Sequence, residues 1–234
     1  MMLTVKRLNA FYGSSHILFD LDLEIEEGQV LALLGRNGAG KSTTLKSIMG
    51  VLQSRQGDIL FKGTPISALE SDQVCRLGLG YVPEDCRVFR GLSVHENLQA
   101  GRMAPRGTRI AWNERRVFEL FPDLQRFMRH RADSLSGGQQ RMLSIARTLM
   151  GNPDLLLLDE PSEGLAPLVV KQMLEQLTKL KETGLTILLS EQNLGFSLKL
   201  ADRVNIIEKG SIKYRGTPDE LAADPATRQA FLMV

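Results

Sequence analysis

Apolar and polar residues alternate through most of Leu3–Phe61, with turn signals at Gly13, Glu27-Gly28 and Gln56-Gly57-Asp58. This pattern predicts strands around one helix that begins after Lys41. From about Ser67 to Met150 the spacing becomes helical, with Val94 and Leu98, then Val117, Leu120, Phe121 and Leu124. That stretch is expected to be a helical insert, with Pro105-Arg106-Gly107 as a surface break. After the turn signal Asn152-Pro153, Leu155–Leu158 and Thr186–Leu189 read as buried strands. Val169–Leu180 and Asn193–Leu200 read as helices. Val204–Ile207 and Ile212–Tyr214 flank Lys209-Gly210 as a closing hairpin before a short helical tail. Strands alternating with helices predict an α/β chain whose mainly parallel sheet is covered on both faces.

Composition narrows the class. With 234 residues, 43% hydrophobic and 24% charged, the chain has the make-up of one globular domain, 1–234. A net charge of +2 gives no field suited to nucleic acid or an anionic membrane. Cys75 and Cys86 lack metal-type spacing and are expected to be reduced thiols without chemistry. The N-terminal stretch has no apolar core of a secretion signal. The longest apolar runs, Val30–Leu34 and Leu155–Leu158, are far short of the roughly 20 residues of a spanning helix. A cytosolic chain is expected, so any membrane role requires another protein.

The chemistry begins at Gly35-Arg36-Asn37-Gly38-Ala39-Gly40-Lys41-Ser42, which fits G-x-x-x-x-G-K-[ST] between an apolar strand and a helix. Glycines let successive N–H groups turn inward at phosphates, and the helix start adds positive potential. Lys41 can then reach the terminal phosphates and Ser42 can ligate Mg²⁺. Leu155–Leu158 runs into Asp159-Glu160, which places two carboxylates at the sheet's C-terminal edge. Asp159 would hold Mg²⁺ and Glu160 would activate the attacking water. Alone this pair is weak, since strands often end in acidic residues; beside the phosphate loop it is strong. Leu135-Ser136-Gly137-Gly138-Gln139 opens the helical stretch 140–150 and supplies a second helix start with a small hydroxyl.

Here the sequence resembles the ABC ATPases. The resemblance covers nearly the whole chain: Tyr12, Gly35–Thr43, the Tyr81–Asp85 loop, Leu135–Gln139, Leu155–Glu160, Pro161–Pro167 and Ser190–Asn193, in the family's order. It implies a P-loop ABC ATPase fold with an N-terminal antiparallel β subdomain and a helical subdomain at about 87–150. It also implies ATP hydrolysis with Mg²⁺ in a head-to-tail dimer. The nucleotide on one chain's loop, Gly35, Arg36, Asn37, Gly38, Ala39, Gly40, Lys41, Ser42 and Thr43, would be closed over by the partner's Ser136, Gly137, Gly138 and Gln139. Tyr12 matches the adenine-stacking position, the other reading being an aromatic core pair with Phe11.

Two positions depart from the family. Glu84 stands where most members have Gln; a carboxylate can still coordinate Mg²⁺ or water. Gln192 stands at the switch His and can donate to the γ-phosphate without carrying charge, so hydrolysis should lean on Glu160 and run more slowly. Both departures, with Asp159–Pro167, Arg87–Leu98 and the compact end at Val234, resemble the LivF-type ATPases of branched-chain amino-acid importers. That resemblance implies two transmembrane permease subunits, a solute-binding protein, a related but different second ATPase and a place on the membrane's cytoplasmic face. A cytoplasmic helix of the permease would dock on Arg87–Leu98. Urea, amide or other amino-acid import, lipid export and a soluble ATPase acting on DNA or ribosomes are the rival readings. A single cassette without a long heptad insert or basic stripe argues against the last.

Overall fold

The computed structural model describes residues 1–106 and 111–232. In chain order its elements are β1 (Leu3–Tyr12), β2 (Ser15–Ile25), β3 (Val30–Leu34), α1 (Lys41–Ile48), β4 (Arg55–Phe61), β5 (Thr64–Pro65) and α2 (Ser71–Leu77). There follow β6 (Leu79–Val82), α3 (Val94–Ala100), α4 (Glu114–Leu120), α5 (Pro122–Arg126), α6 (Gly137–Leu149), β7 (Leu155–Asp159) and α7 (Pro167–Glu182). The chain closes with β8 (Thr186–Glu191), α8 (Leu194–Leu200), β9 (Arg203–Glu208), β10 (Ser211–Gly216), α9 (Pro218–Ala222) and α10 (Pro225–Phe231).

Two sheets form. One is antiparallel in the order β2-β1-β4-β5; the other has the order β10-β9-β3-β8-β7-β6. In the second sheet β9, β3, β8, β7 and β6 run parallel and β10 alone is antiparallel. Successive residues of a strand face opposite sides, and the core divides accordingly. Val30, Ala32, Leu34, Leu156 and Leu158 join the helices α3–α8 in one cluster. Leu31, Leu33, Leu155 and Leu157 pack with α1 and the antiparallel sheet in another. Strands buried on both faces explain the unbroken apolar runs that the sequence offers.

The fold expectation holds: a mainly parallel core, an antiparallel β layer and a helical group. Val94, Leu98, Val117, Leu120, Phe121 and Leu124 all enter the first cluster. One expectation fails, because the stretch from Ser67 is not helical throughout. Leu79–Val82 pairs with Leu155–Leu158 as the edge of the parallel sheet. Four residues cannot display a strand period against helical neighbours, and Gly78, at φ 116 as the C-cap of α2, is the only local sign of the break. Pro105 is exposed as expected, but Arg106 donates to the carbonyls of Cys75, Arg76, Gly151 and Asn152. Gly107, Val234 and residues 108–110 lie outside the described residues. Cys75 and Cys86 are free thiols.

Candidate functional site

Strand β3 ends at Leu34, and residues 35–40 turn back on the sheet before α1 starts at Lys41. The turn needs its glycines. A Cβ on Gly35 would lie 2.5 Å from the Ile207 carbonyl oxygen, and Gly40 sits at φ 113 with Leu18 2.8 Å from its missing Cβ. Lys41 is 3% exposed. Its ammonium donates to the carbonyls of Gly35 (2.7 Å) and Arg36 (3.1 Å) and pairs with Glu160 at 3.0 Å.

Asp159, the last residue of β7, accepts from three hydroxyls. Ser42 and Ser190 donate to Oδ1 at 2.9 and 2.6 Å, and Tyr81 donates to Oδ2 at 3.1 Å. Burial first, and the Asp159 charge second, push the Tyr81 phenol well above its ordinary range. Glu160 follows in the left-handed region at φ 46, a strained conformation for a residue with a side chain. Gln192 donates its amide to Glu160 Oε2 at 2.7 Å and to Asn37 Oδ1 at 2.6 Å.

A cavity of about 500 Å³ is lined by Tyr12, Ile17, Asn37, Gly38, Gly40, Lys41, Ser42, Thr43, Glu84, Glu160 and Glu163, with Asp159 and Gln192 reaching it through their bonds to Ser42 and Glu160. Tyr12 is 46% exposed, so it is not a core partner of Phe11, whose ring stacks on His16 at 4.3 Å. Ser136 caps α6 with a reciprocal Ser136–Gln139 box and stays on the surface, with Gly137 exposed beside it and Gly138 buried. This segment does not line the cavity, so within one chain the two helix starts remain apart.

Three residues were missed by sequence reasoning. Arg141 donates to the carbonyls of Glu160 and Glu84, tying two turns together. Glu191, 2% exposed, accepts from the backbone N–H groups of Ser162, Gln192 and Asn193; burial holds its carboxyl above the usual range. Glu163 is raised by burial and by the neighbouring carboxylates of Glu160 and Glu84. Only the run Gln139-Gln140-Arg141 and the Glu163 at the strand's exit hinted at them.

The donor set is chemically specific. A glycine-bearing loop at a helix start and a buried ammonium suit phosphate. Ser42 beside Asp159 offers hard oxygen donors fit for Mg²⁺. Among the described residues no cluster of three His, Cys, Asp or Glu side chains could hold a metal. A divalent ion would complete its shell with phosphate oxygens and water, as Mg²⁺ commonly does. Among the described residues no helix is long and apolar enough to cross a membrane.

Comparison with known proteins agrees. Residues 18–163 match the family described as ABC transporter. The high-affinity branched-chain amino acid transport ATP-binding protein BraG of Pseudomonas aeruginosa is 40% identical over 231 residues, 99% of each chain. The probable branched-chain amino acid transport ATP-binding protein LivF of Archaeoglobus fulgidus is 36% identical over 94% of each. The lipopolysaccharide export system ATP-binding protein LptB of Escherichia coli is 33% identical over 98% of this chain and 96% of its own. A solved dimeric bacterial ABC transporter cassette superposes with a TM-score of 0.79 at 25% identity, covering 93% of this chain and 99% of that one. The chain therefore belongs to the ABC transporter family, as one of its ATP-hydrolysing, nucleotide-binding cassettes.

Proposed function

We propose that this chain powers uptake of branched-chain amino acids, leucine, isoleucine and valine, as the ATPase subunit of an importer. It acts from the cytoplasmic face of the membrane beneath two permease subunits fed by a solute-binding protein. One observation carries the solute class: the likeness to BraG, 40% over 99% of both chains, exceeds the 33% to LptB. The same LptB likeness makes lipid export the second reading.

The N–H groups of the 35–41 loop and the Lys41 ammonium bind the phosphates of ATP, and Tyr12 stacks on adenine. Ser42, Asp159 and Glu84 would hold a Mg²⁺ ion, which would supply neutralisation of phosphate charge. Glu160 orients a water and accepts its proton as the water oxygen bonds to the γ-phosphorus and the bond to the ADP oxygen breaks. Gln192, bonded to both Glu160 and Asn37, fixes the carboxylate's direction and donates to the γ-phosphate. Because Lys41 pairs with Glu160, phosphate oxygens that draw the ammonium away also release the base.

The second wall of the nucleotide is Ser136–Gln139 of another cassette. The exposed helix start supports this reading, as does the likeness to a dimeric cassette. That second cassette is a different, related chain. Closure requires the γ-phosphate, so hydrolysis reopens the pair and drives the permeases.

The test is to isolate the chain with its membrane subunits, identify them, and reconstitute them in liposomes with their binding protein. Leucine, isoleucine or valine should stimulate phosphate release several-fold. Stimulation by a lipid alone, or permeases that move no amino acid, would overturn the importer reading.

A further inference from the structure

Glu160 and Gln192 stand where two neighbouring strands, β7 and β8, leave the sheet. The strands pair in parallel as far as Asp159 and Ser190. The Glu160 N–H adds one more bond, to the Ser190 carbonyl at 3.0 Å. There the ladder stops, because Glu160 turns into the left-handed region at φ 46 and Pro161 has no N–H to offer. Backbone pairing therefore ends at the point where the two loops carrying the reacting groups begin.

Glu191, the last residue of β8, continues the connection with its side chain. It is 2% exposed. One carboxylate oxygen, Oε1, accepts from the Ser162 N–H at 2.8 Å; the other, Oε2, accepts from the N–H groups of Gln192 and Asn193 at 3.1 Å each. A single planar group thus spans both exits, the turn after Glu160 on one side and the loop of Gln192 on the other. Backbone donors rather than a cation compensate this buried carboxylate. Such burial is costly, yet an apolar side chain of similar size would leave the three N–H groups without their acceptor. Downstream, the Gln192 amide meets Glu160 Oε2 at 2.7 Å and Asn37 Oδ1 at 2.6 Å, so the place of the Gln192 backbone decides where that amide points.

We propose that Glu191 is a positioning residue for ATP hydrolysis. It does not line the phosphate cavity and acts through Glu160 and Gln192. Holding the Gln192 backbone sets the amide that aims the Glu160 carboxylate, and holding Ser162 fixes the far end of the turn on which Glu160 is mounted. The position needs a carboxylate because both oxygens accept. Glutamine offers one acceptor and one donor, so it can serve only one of the two loops. The inference rests on the roles given above to Glu160 and Gln192.

The experiment is steady-state phosphate release by the assembled complex with its permease subunits, beside titration of the same samples with fluorescent ADP. Glu191→Gln should lower kcat roughly tenfold while KM for ATP and the affinity for ADP stay within about twofold. In a Gln192→Ala background the same change should lower kcat by less than about twofold more, because the amide it aims is already gone. Glu191→Asp keeps the buried charge on a shorter arm. It should show the same split with a smaller fall, and it carries the test if Glu191→Gln does not fold. Unchanged kcat in the variants that fold overturns the proposal. So does a loss of ADP affinity in step with kcat, or a double variant whose two effects multiply in full. Glu160→Gln, measured alongside, separates the two levels: intact turnover there removes the reading of the site itself, whereas lost turnover there with unchanged Glu191 variants removes this inference alone.

Discussion

Glu160 is oriented from several directions at once. Lys41 holds one carboxylate oxygen at 3.0 Å, Gln192 the other at 2.7 Å, and the backbone N–H donates to the Ser190 carbonyl at 3.0 Å. Glu160→Gln keeps the shape and removes the proton acceptor, so phosphate release should fall roughly 10²–10⁴-fold with nucleotide binding retained. Gln192→Ala leaves the carboxylate present and loosely aimed. We expect a kcat on the order of tenfold lower with KM little changed, read by steady-state phosphate release. Glu163 offers a pH test. Burial and the carboxylates of Glu160 and Glu84 raise its carboxyl, so above the ordinary carboxylate range the folded chain holds more protons than the unfolded one. Its stabilising contribution is therefore complete at low pH and is lost as pH rises through the raised value. Glu163→Gln should gain on the order of 2 °C in Tm at pH 8 and nothing at pH 4, by thermal scans.

The turn after β9 carries more than a hairpin connection. Gly210, at φ 76, donates to the Ala39 carbonyl in the phosphate loop and accepts from the Phe19 N–H, both at 2.9 Å. A Cβ there would lie 1.9 Å from the Ile17 carbonyl oxygen. Gly210→Ala should cost about 3 kcal/mol, a Tm loss of roughly 6–12 °C, and should weaken nucleotide binding because the loop loses its support. The hairpin itself was legible, as were β3, β7 and β8, since strands buried on both faces write unbroken apolar runs. Strand β6 was not, for its four residues are buried by β7, α6 and α2, partners distant in sequence or helical themselves, and are too few to show a strand period. At the site, Lys41, Ser42, Asp159 and Glu160 were legible from local motifs. Arg141 was not, because nothing near it in sequence reveals that its guanidinium spans to a carbonyl 57 residues away. The link between Gln192 and Asn37 crosses 155 residues and is equally silent locally.

At the scale of the molecule, the helix start at Ser136 lies apart from the phosphate cavity and on the surface. Two substitutions separate its local and assembled roles. Ser136→Ala removes the cap hydroxyl and should cost about 1 kcal/mol of stability. Ser136→Arg should leave single-chain nucleotide binding intact yet abolish turnover in the assembled pair, measured by fluorescent-nucleotide titration beside ATPase assay. Arg141 shows how such an assembly could be felt inside one chain. Its guanidinium bonds the backbone of two turns at once, that of Glu84 with one nitrogen and that of Glu160 with the other. With one planar group bonded to both turns, a displacement of the Glu84 turn is expected to carry the backbone at Glu160 with it.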